Sequence, residues 1–242
     1  MDPAFTREIR PYVGLMSAQI ASPIPPKADL KPYDLMLSSL PNFVEHFRQQ
    51  GMRSAFFKAG FEPRVLGRLK KAPACGVVFV GGLSASHSDR IQFLEQVAQR
   101  TRLDWWGYGK EHLAPNSPLH ETFHGPAWAL TMYEKLSSGR VALNHHIDLA
   151  ENYANNMRLY EATGVGSLLV TDAKCNLPAL FELGKEALAY RNSEECAEFI
   201  EYYLRHEEEG AAIARSGQQR TLREHSYSQR MQEFLELIKP LL

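Results

Sequence analysis

Asn156, Arg158 and Glu161 stand just ahead of Gly164-Val-Gly166 and the apolar run Ser167-Leu-Leu-Val170. A carboxylate can accept paired hydrogen bonds from vicinal hydroxyls, and a guanidinium can counter phosphate charge. At the start of a helix, free backbone N–H groups and the helix dipole also favour anions. Asn155, Asn156, Arg158 and Glu161 therefore suit a phosphorylated or hydroxyl-rich ligand. The same residues also fit a capped surface helix with Arg158 and Glu161 as an i,i+3 ion pair.

Other groups bear on the same chemistry. Gly81-Gly82-Leu-Ser84-Ala-Ser86 separates a buried strand, Gly76–Val80, from a helix expected over Asp89–Gln99. Glycine lets backbone approach a phosphate, and Arg90 would add charge from the helix start. The loop is not G-x-G-x-x-G, so it does not carry a dinucleotide-binding reading. Asn144 ends the strand Val141–Asn144, and ligands of open parallel sheets bind beyond the carboxyl ends of strands. His145 and His146 follow; neighbours on an extended chain face apart, which argues against a two-histidine metal site. His120–His124 reads HETFH and matches H-E-x-x-H. Zinc peptidases need that motif on a continuous helix, whereas Pro118, Gly125 and Pro126 place it in a loop before the next helix. Lys110 and the basic run Arg64, Arg68, Lys70 and Lys71 could meet phosphate or simply face solvent.

These residues need a scaffold, and the pattern supplies an α/β one. Strands are expected over Tyr12–Ile20, Tyr33–Ser38 and Arg53–Lys58, with a helix from Pro41 to Gln50. Gly60–Pro73 reads as a linker. Further strands are expected at Leu103–Gly107, Ser167–Val170 and Ala187–Tyr190. Helices are expected at Ala127–Ser138 with Pro126 at its first position, before Gly164, at Leu177–Leu183, from Ser193 as a cap through Leu204, at Glu207–Arg223 and at Tyr227–Ile238. The glycines at 164 and 166 would end their helix by taking positive φ.

N-x-R-x-x-E-x-x-x-x-G before an apolar strand resembles the C-terminal, donor-binding half of group-1 glycosyltransferases, and within them the glycosyltransferase-like domain of spore maturation protein CgeB relatives. The resemblance runs from about Ala74 to the C-terminus through VVFVGG at Val77–Gly82, VALN at Val141–Asn144, Asn156–Asp172 and HSYSQRMQEFLELI at His225–Ile238. It implies a doubly wound parallel sheet, the Rossmann-like C-terminal domain of a GT-B fold, over residues 74–225. Residues 7–65 would be the remainder of an acceptor-side α/β domain, and 226–242 a helix crossing back to it. The implied reaction transfers a sugar from a nucleotide-sugar donor to a glycan or glycoconjugate acceptor, with no tightly bound metal or other cofactor. Glu161 would hold ribose hydroxyls, Arg158 and the N–H groups near Asn156 the diphosphate, Gly81, Gly82 and Ser84 the phosphates through backbone, and Asn144 the base or sugar. The chain departs from the group-1 pattern at Gly82, where an arginine is usual; Arg90 is its expected substitute. No residue offers itself as the catalytic base, which is expected in further sequence ahead of this piece, and the piece alone need not be active.

The 242 residues permit one large domain or two modest ones, and 27 basic against 28 acidic side chains leave a net charge of −1. That balance gives no footprint for nucleic acid. The cysteines, Cys75, Cys175 and Cys196, are odd in number and widely spaced, which fits a reducing compartment, and the expected location is cytoplasmic. No apolar run approaches the roughly 18 residues of a membrane span, leaving peripheral membrane association open. The stretch that begins Met1-Asp2-Pro3 lacks an apolar h-region, so no secretory leader is expected. Three alternatives stand beside glycosyl transfer: a metal-dependent hydrolase on HETFH, a non-catalytic nucleotide-sugar-binding module, and another nucleotide-binding α/β enzyme.

Overall fold

The computed structural model describes residues 3–70, 74–84, 88–147 and 150–242; Lys71 of the basic run and Ala85 and Ser86 of the glycine loop lie outside them. The N-terminal part holds α1 (Pro3–Ile9), β1 (Ser17–Gln19), β2 (Leu35–Ser38), α2 (Pro41–Gln49) and β3 (Ser54–Phe56). Its three strands form a parallel sheet in chain order. The strand expected from Tyr12 is cut to Ser17–Gln19. Arg10–Tyr12 turns as 3-10 helix, and Asp34 gathers the Arg10 guanidinium and the Met16 N–H. Pro41 opens α2 as expected, since its missing N–H would be unpaired there in any case. The linker carries a 3-10 stretch, Pro63–Arg68, capped by the Glu62 side chain.

The second sheet is built from β4 (Cys75–Val80), α3 (Ser88–Ala98), β5 (Leu103–Trp106), α4 (Ala129–Ser138), β6 (Gly139–Leu143), α5 (Arg158–Gly164), β7 (Leu168–Asp172) and β8 (Leu188–Tyr190). Its five strands are all parallel, in the order β5-β4-β6-β7-β8. Both faces are covered, as a parallel sheet requires. Val77 and Phe79 point into one core with Phe93, Leu94 and Ile200, while Val78 and Val80 point into the other with Leu136, Leu159 and Phe181. The expected doubly wound α/β architecture is therefore present. The chain runs from β4 outward to β5, then crosses to β6 on β4's other side. The order reverses between β4 and β6, and loops leaving their carboxyl ends diverge to open a crevice.

Several boundaries differ from expectation for local reasons. α4 starts at Ala129, so Pro126 is not its first residue; Trp128 is the extended residue that enters the helix. α5 starts at Arg158, leaving Asn155 and Asn156 ahead of it. Of Gly164 and Gly166, the second alone takes the left-handed conformation, at φ +86°, whereas Gly164 is helical and leaves room for the Phe61 ring, which an added Cβ would meet at 2.5 Å. The helix expected over Leu177–Leu183 is one 3-10 turn, Leu177–Ala179. Helix α6 (Ser193–Arg205) is capped by Asn192, whose side chain accepts from the Glu195 N–H at 2.9 Å, not by Ser193.

Helix α7 (Glu207–Glu224) ends at the expected break, and α8 (Tyr227–Ile238) begins with a capping box between Ser226 and Gln229. At the break, Phe61 N–H donates to His225 O (2.8 Å) and Tyr227 N–H to Phe61 O (2.9 Å). These bonds turn α8 onto the first sheet, where Phe234, Leu237, Ile238 and Leu241 pack against Leu35, Leu37 and Phe57. Of the other apolar residues of α8, Met231 and Leu235 are left 48% and 52% exposed.

Candidate functional site

The crevice at the β4–β6 reversal is a cleft of about 380 Å³ lined by Gly81, Arg90, Asn144, His145, Asn156, Arg158 and Glu161, with Phe79, Val80, Met132 and Met157. Six of the eight candidate residues are thus brought together: Gly81 and Asn144 just past β4 and β6, Arg90 on α3, Asn156 ahead of α5, and Arg158 and Glu161 on it. The other two are not among its described lining. Gly82 gives its carbonyl to Arg90 Nη1 (3.1 Å) and lies under the Tyr108 ring, and Ser84 stands farther along the loop. Larger concavities of about 760 and 690 Å³ lie beside α8 and at the amino-terminal ends of the strands, away from these residues. A concavity of about 490 Å³ shares Arg90, Asn156 and Met157 with the cleft and reaches Ser39, Phe57 and Lys58 beside the first sheet.

Arg158 is fixed by three contacts: Nε donates to Val80 O (3.1 Å), Nη1 to Glu161 Oε2 (2.6 Å), and Nη1 also lies 3.3 Å from Met132 Sδ. Nη2 has no partner among the described residues. The pair is buried, with side chains 15% and 6% exposed, which corrects the expectation of a partly exposed surface pair. Burial raises the Glu161 carboxyl and lowers the Arg158 guanidinium from their ordinary values, and each opposes the shift in the other. Tyr133, on the adjacent turn of α4, is pushed up to about 12 by burial and by the Glu161 charge.

On the other side, Asn144 Nδ2 donates to Thr171 Oγ1 (2.8 Å) and Asn156 Nδ2 to Asn144 Oδ1 (2.8 Å). Asn156 Oδ1 is left buried with no partner among the described residues. Arg90 Nη2 donates to His145 O (3.0 Å), tying the start of α3 to the loop after β6. His146 faces away from its neighbour and pairs with Asp172, Nδ1 to Oδ1 at 2.6 Å. Burial works to raise Asp172, but hydrogen bonding from His146 and its electrostatic surroundings, Lys174 among them, hold it well below the usual carboxylate range.

Sequence reasoning missed Met132, Tyr133, Asp172 and Tyr190. Asp172 and Tyr190 end β7 and β8, so the strand-end rule that selected Asn144 reaches them too. The HETFH residues lie ahead of α4 and on no continuous helix, as expected: His120 closes a 3-10 turn, Pro118–His120, and Phe123 bridges to Trp105. His120 Nε2 is 2.9 Å from Ala114 O, while His124 Nε2 is 2.8 Å from Asp104 Oδ1 and its ring stacks on Trp106. The two imidazoles thus have separate partners, and no group of three potential metal ligands occurs among the described residues. Cys75, Cys175 and Cys196 are free thiols, and no described helix is long and apolar enough to cross a membrane.

Known structures share this architecture. HepE from Anabaena, solved with UDP-glucose, matches with a TM-score of 0.64 at 15% identity, covering 86% of this chain and 64% of that one. Sucrose-phosphate synthase from Thermosynechococcus elongatus matches with a TM-score of 0.62 at 12% identity, over 86% of this chain and 58% of that one. TarM matches with a TM-score of 0.64 at 12% identity, over 93% of this chain and 50% of that one. At these identities the likeness establishes fold: the parallel α/β architecture is that of GT-B glycosyltransferases. A family profile described as glycosyl transferase-like matches residues 90–236, more than half of the chain. The chain belongs to the glycosyl transferase-like family. A search of curated protein sequences finds no match. The chain spans from half to about two thirds of the length of these three solved proteins.

Proposed function

We propose that this chain binds a nucleotide-sugar donor in the β4–β6 cleft and belongs to an enzyme that transfers the sugar to a glycan or glycoconjugate acceptor. One observation carries the reading: Arg158 and Glu161 are held together, buried, at the mouth of the switch-point cleft, with Arg158 Nη2 left over. Glu161 takes the ribose hydroxyls. Arg158 meets the charge that grows on the departing diphosphate, where a fixed cation in a water-poor site acts most strongly. Gly81 offers close backbone, Arg90 adds a second cation, and Asn144 and Asn156 supply amide groups for base or sugar. Contact of phosphate with N–H groups near Asn156 has less support than expected, because the helix begins later, at Arg158.

The cleft's own cations can meet the diphosphate charge, so the reading calls on no metal or other cofactor. Residues 7–65 form the acceptor side, residues 74–225 the donor side, and residues 226–242 the crossing helix, as in the CgeB-like pattern. The acceptor lies in the concavity against the first sheet, and the enzyme works in the cytoplasm. Ligand binding to the native state raises its melting temperature. A thermal-shift screen against UDP, GDP, ADP, TDP and their sugars should find at least one that raises Tm. No shift with any of them at millimolar concentration would overturn the reading.

A further inference from the structure

We propose that His145 presents an unprotonated Nε2 to the cleft and accepts a hydrogen bond from a hydroxyl of the sugar half of the ligand; this rests on the donor-site reading above. The assignment follows from a chain of contacts. Tyr190 Oη lies 2.7 Å from the backbone oxygen of Asn144. A carbonyl oxygen only accepts, so the phenol gives its single proton there. His145 Nδ1 lies 3.0 Å from the same Oη and must therefore donate to it. A neutral imidazole with its proton on Nδ1 keeps a lone pair on Nε2.

Packing fixes the plane of the ring. His145 stacks on Phe93 with centroids 4.5 Å apart, and Phe93 stacks on Tyr190 at 5.0 Å. Tyr190 is 1% exposed, and burial pushes its hydroxyl well above the ordinary phenol range, which keeps it a donor. Burial also lowers His145, against the raising influence of Asp172, and the charges of Arg90, Lys174 and His146 lower it further. Nε2 has no partner among the described residues, and His145 is one of the residues that line the cleft.

The position selects the sugar. Met132 and Glu161 belong to helices on one face of the sheet, and Arg90 to a helix on the other. A nucleotide with its ribose on Glu161 and its diphosphate on Arg158 projects its sugar across the strand ends, toward Arg90 and His145. Arginine only donates, so sugar hydroxyls at that end also need an acceptor, and Nε2 is one.

His145→Phe keeps the ring stack and removes the nitrogen. Wild type and variant would be titrated calorimetrically with UDP, UDP-glucose, GDP and GDP-mannose. The expected result is unchanged nucleoside diphosphate affinity, within about two-fold, and nucleotide-sugar affinity lower by about 5- to 10-fold, the size of one neutral hydrogen bond. An equal loss for both ligand classes, or no loss for either, would overturn the proposal. Nitrogen-15 NMR of free wild type, with His145 assigned by its absence in the variant, should show Nδ1 protonated and Nε2 bare. A proton on Nε2 overturns the proposal alone, whereas a wild type that binds none of the four removes the donor reading with it.

Discussion

Arg158 Nη1 and Glu161 Oε2 lie 2.6 Å apart one helical turn from each other, both buried, with the guanidinium also bound to the backbone at the end of β4. The pair serves the fold and, on the proposed donor reading, the site as well. Breaking a buried pair from one side leaves an uncompensated charge, at a cost of roughly 3–5 kcal/mol. Glu161→Gln should therefore lower stability by about 3 kcal/mol. The double variant Arg158→Met/Glu161→Gln should cost less than the sum of the two single changes. Urea unfolding of the four proteins checks this; strict additivity would show that the pair is not coupled.

His225 should make stability depend on pH. Arg230 Nη2 donates to its Nδ1 at 3.1 Å, and Nε2 donates to Leu180 O at 3.1 Å, so the ring is held neutral. Burial, partly offset by the Leu180 bond, and the nearby Arg230, Lys58 and Arg220 charges push it down to about 4. The unfolded chain takes up a proton near 6.5, before the folded one does, so stability is full above that value and falls as pH drops toward about 4. The loss across that window is on the order of 3 kcal/mol. Melting temperatures at pH 7.5 and 5 should converge in His225→Gln relative to wild type; an unchanged difference would contradict the assignment.

Asp172 acts lower on the scale and with the same sign. Its folded carboxyl lies below the unfolded one near 3.9, so its contribution is complete above that pH and is lost as pH falls further. Asp172→Asn should remove stability at neutral pH and flatten the acid limb below about pH 4. An acid limb as steep as in wild type would show that the His146 pair is not its source.

The crossing helix should be needed for solubility. Phe234 meets Phe57 edge-on at 6.1 Å, beside Leu35 and Leu37. Removing residues 227–242 would bare that surface and cause aggregation. A truncated chain that stays monodisperse with unchanged melting would contradict the packing.

HETFH should hold no zinc. His120→Ala should leave Tm nearly unchanged, while His124→Ala should lower it through the lost Asp104 bond and Trp106 stack. Stoichiometric zinc in purified wild type, lost in the double variant, would reverse this reading.

Fold class and cleft residues were legible because strand ends and glycine loops are local signals. Val77–Gly82 and Asn144 follow from the strand-end pattern, whereas the spacing of Arg158 and Glu161 fits a surface ion pair equally well and only the glycosyltransferase resemblance points them to the cleft. The burial of Glu161 was not legible, because it depends on Tyr133 and Met132 in a helix distant in sequence. Pro126 and Ser193 had suitable chemistry for helix starts, but one helix is entered later, from the extended Trp128, and the other is capped by the neighbouring Asn192 side chain. The roles of Asp172 and Tyr190 required strand order, which sets which ends meet.

Calorimetric titration of wild type and Glu161→Gln with UDP and GDP, at a temperature where near-ultraviolet circular dichroism shows both folded, tests the donor site most directly. A charge-assisted hydrogen bond contributes roughly 1.5–3 kcal/mol, so affinity should fall by about 10- to 100-fold. Unchanged affinity in the folded variant, for a nucleotide the wild type binds, would take Glu161 out of the site and contradict the account.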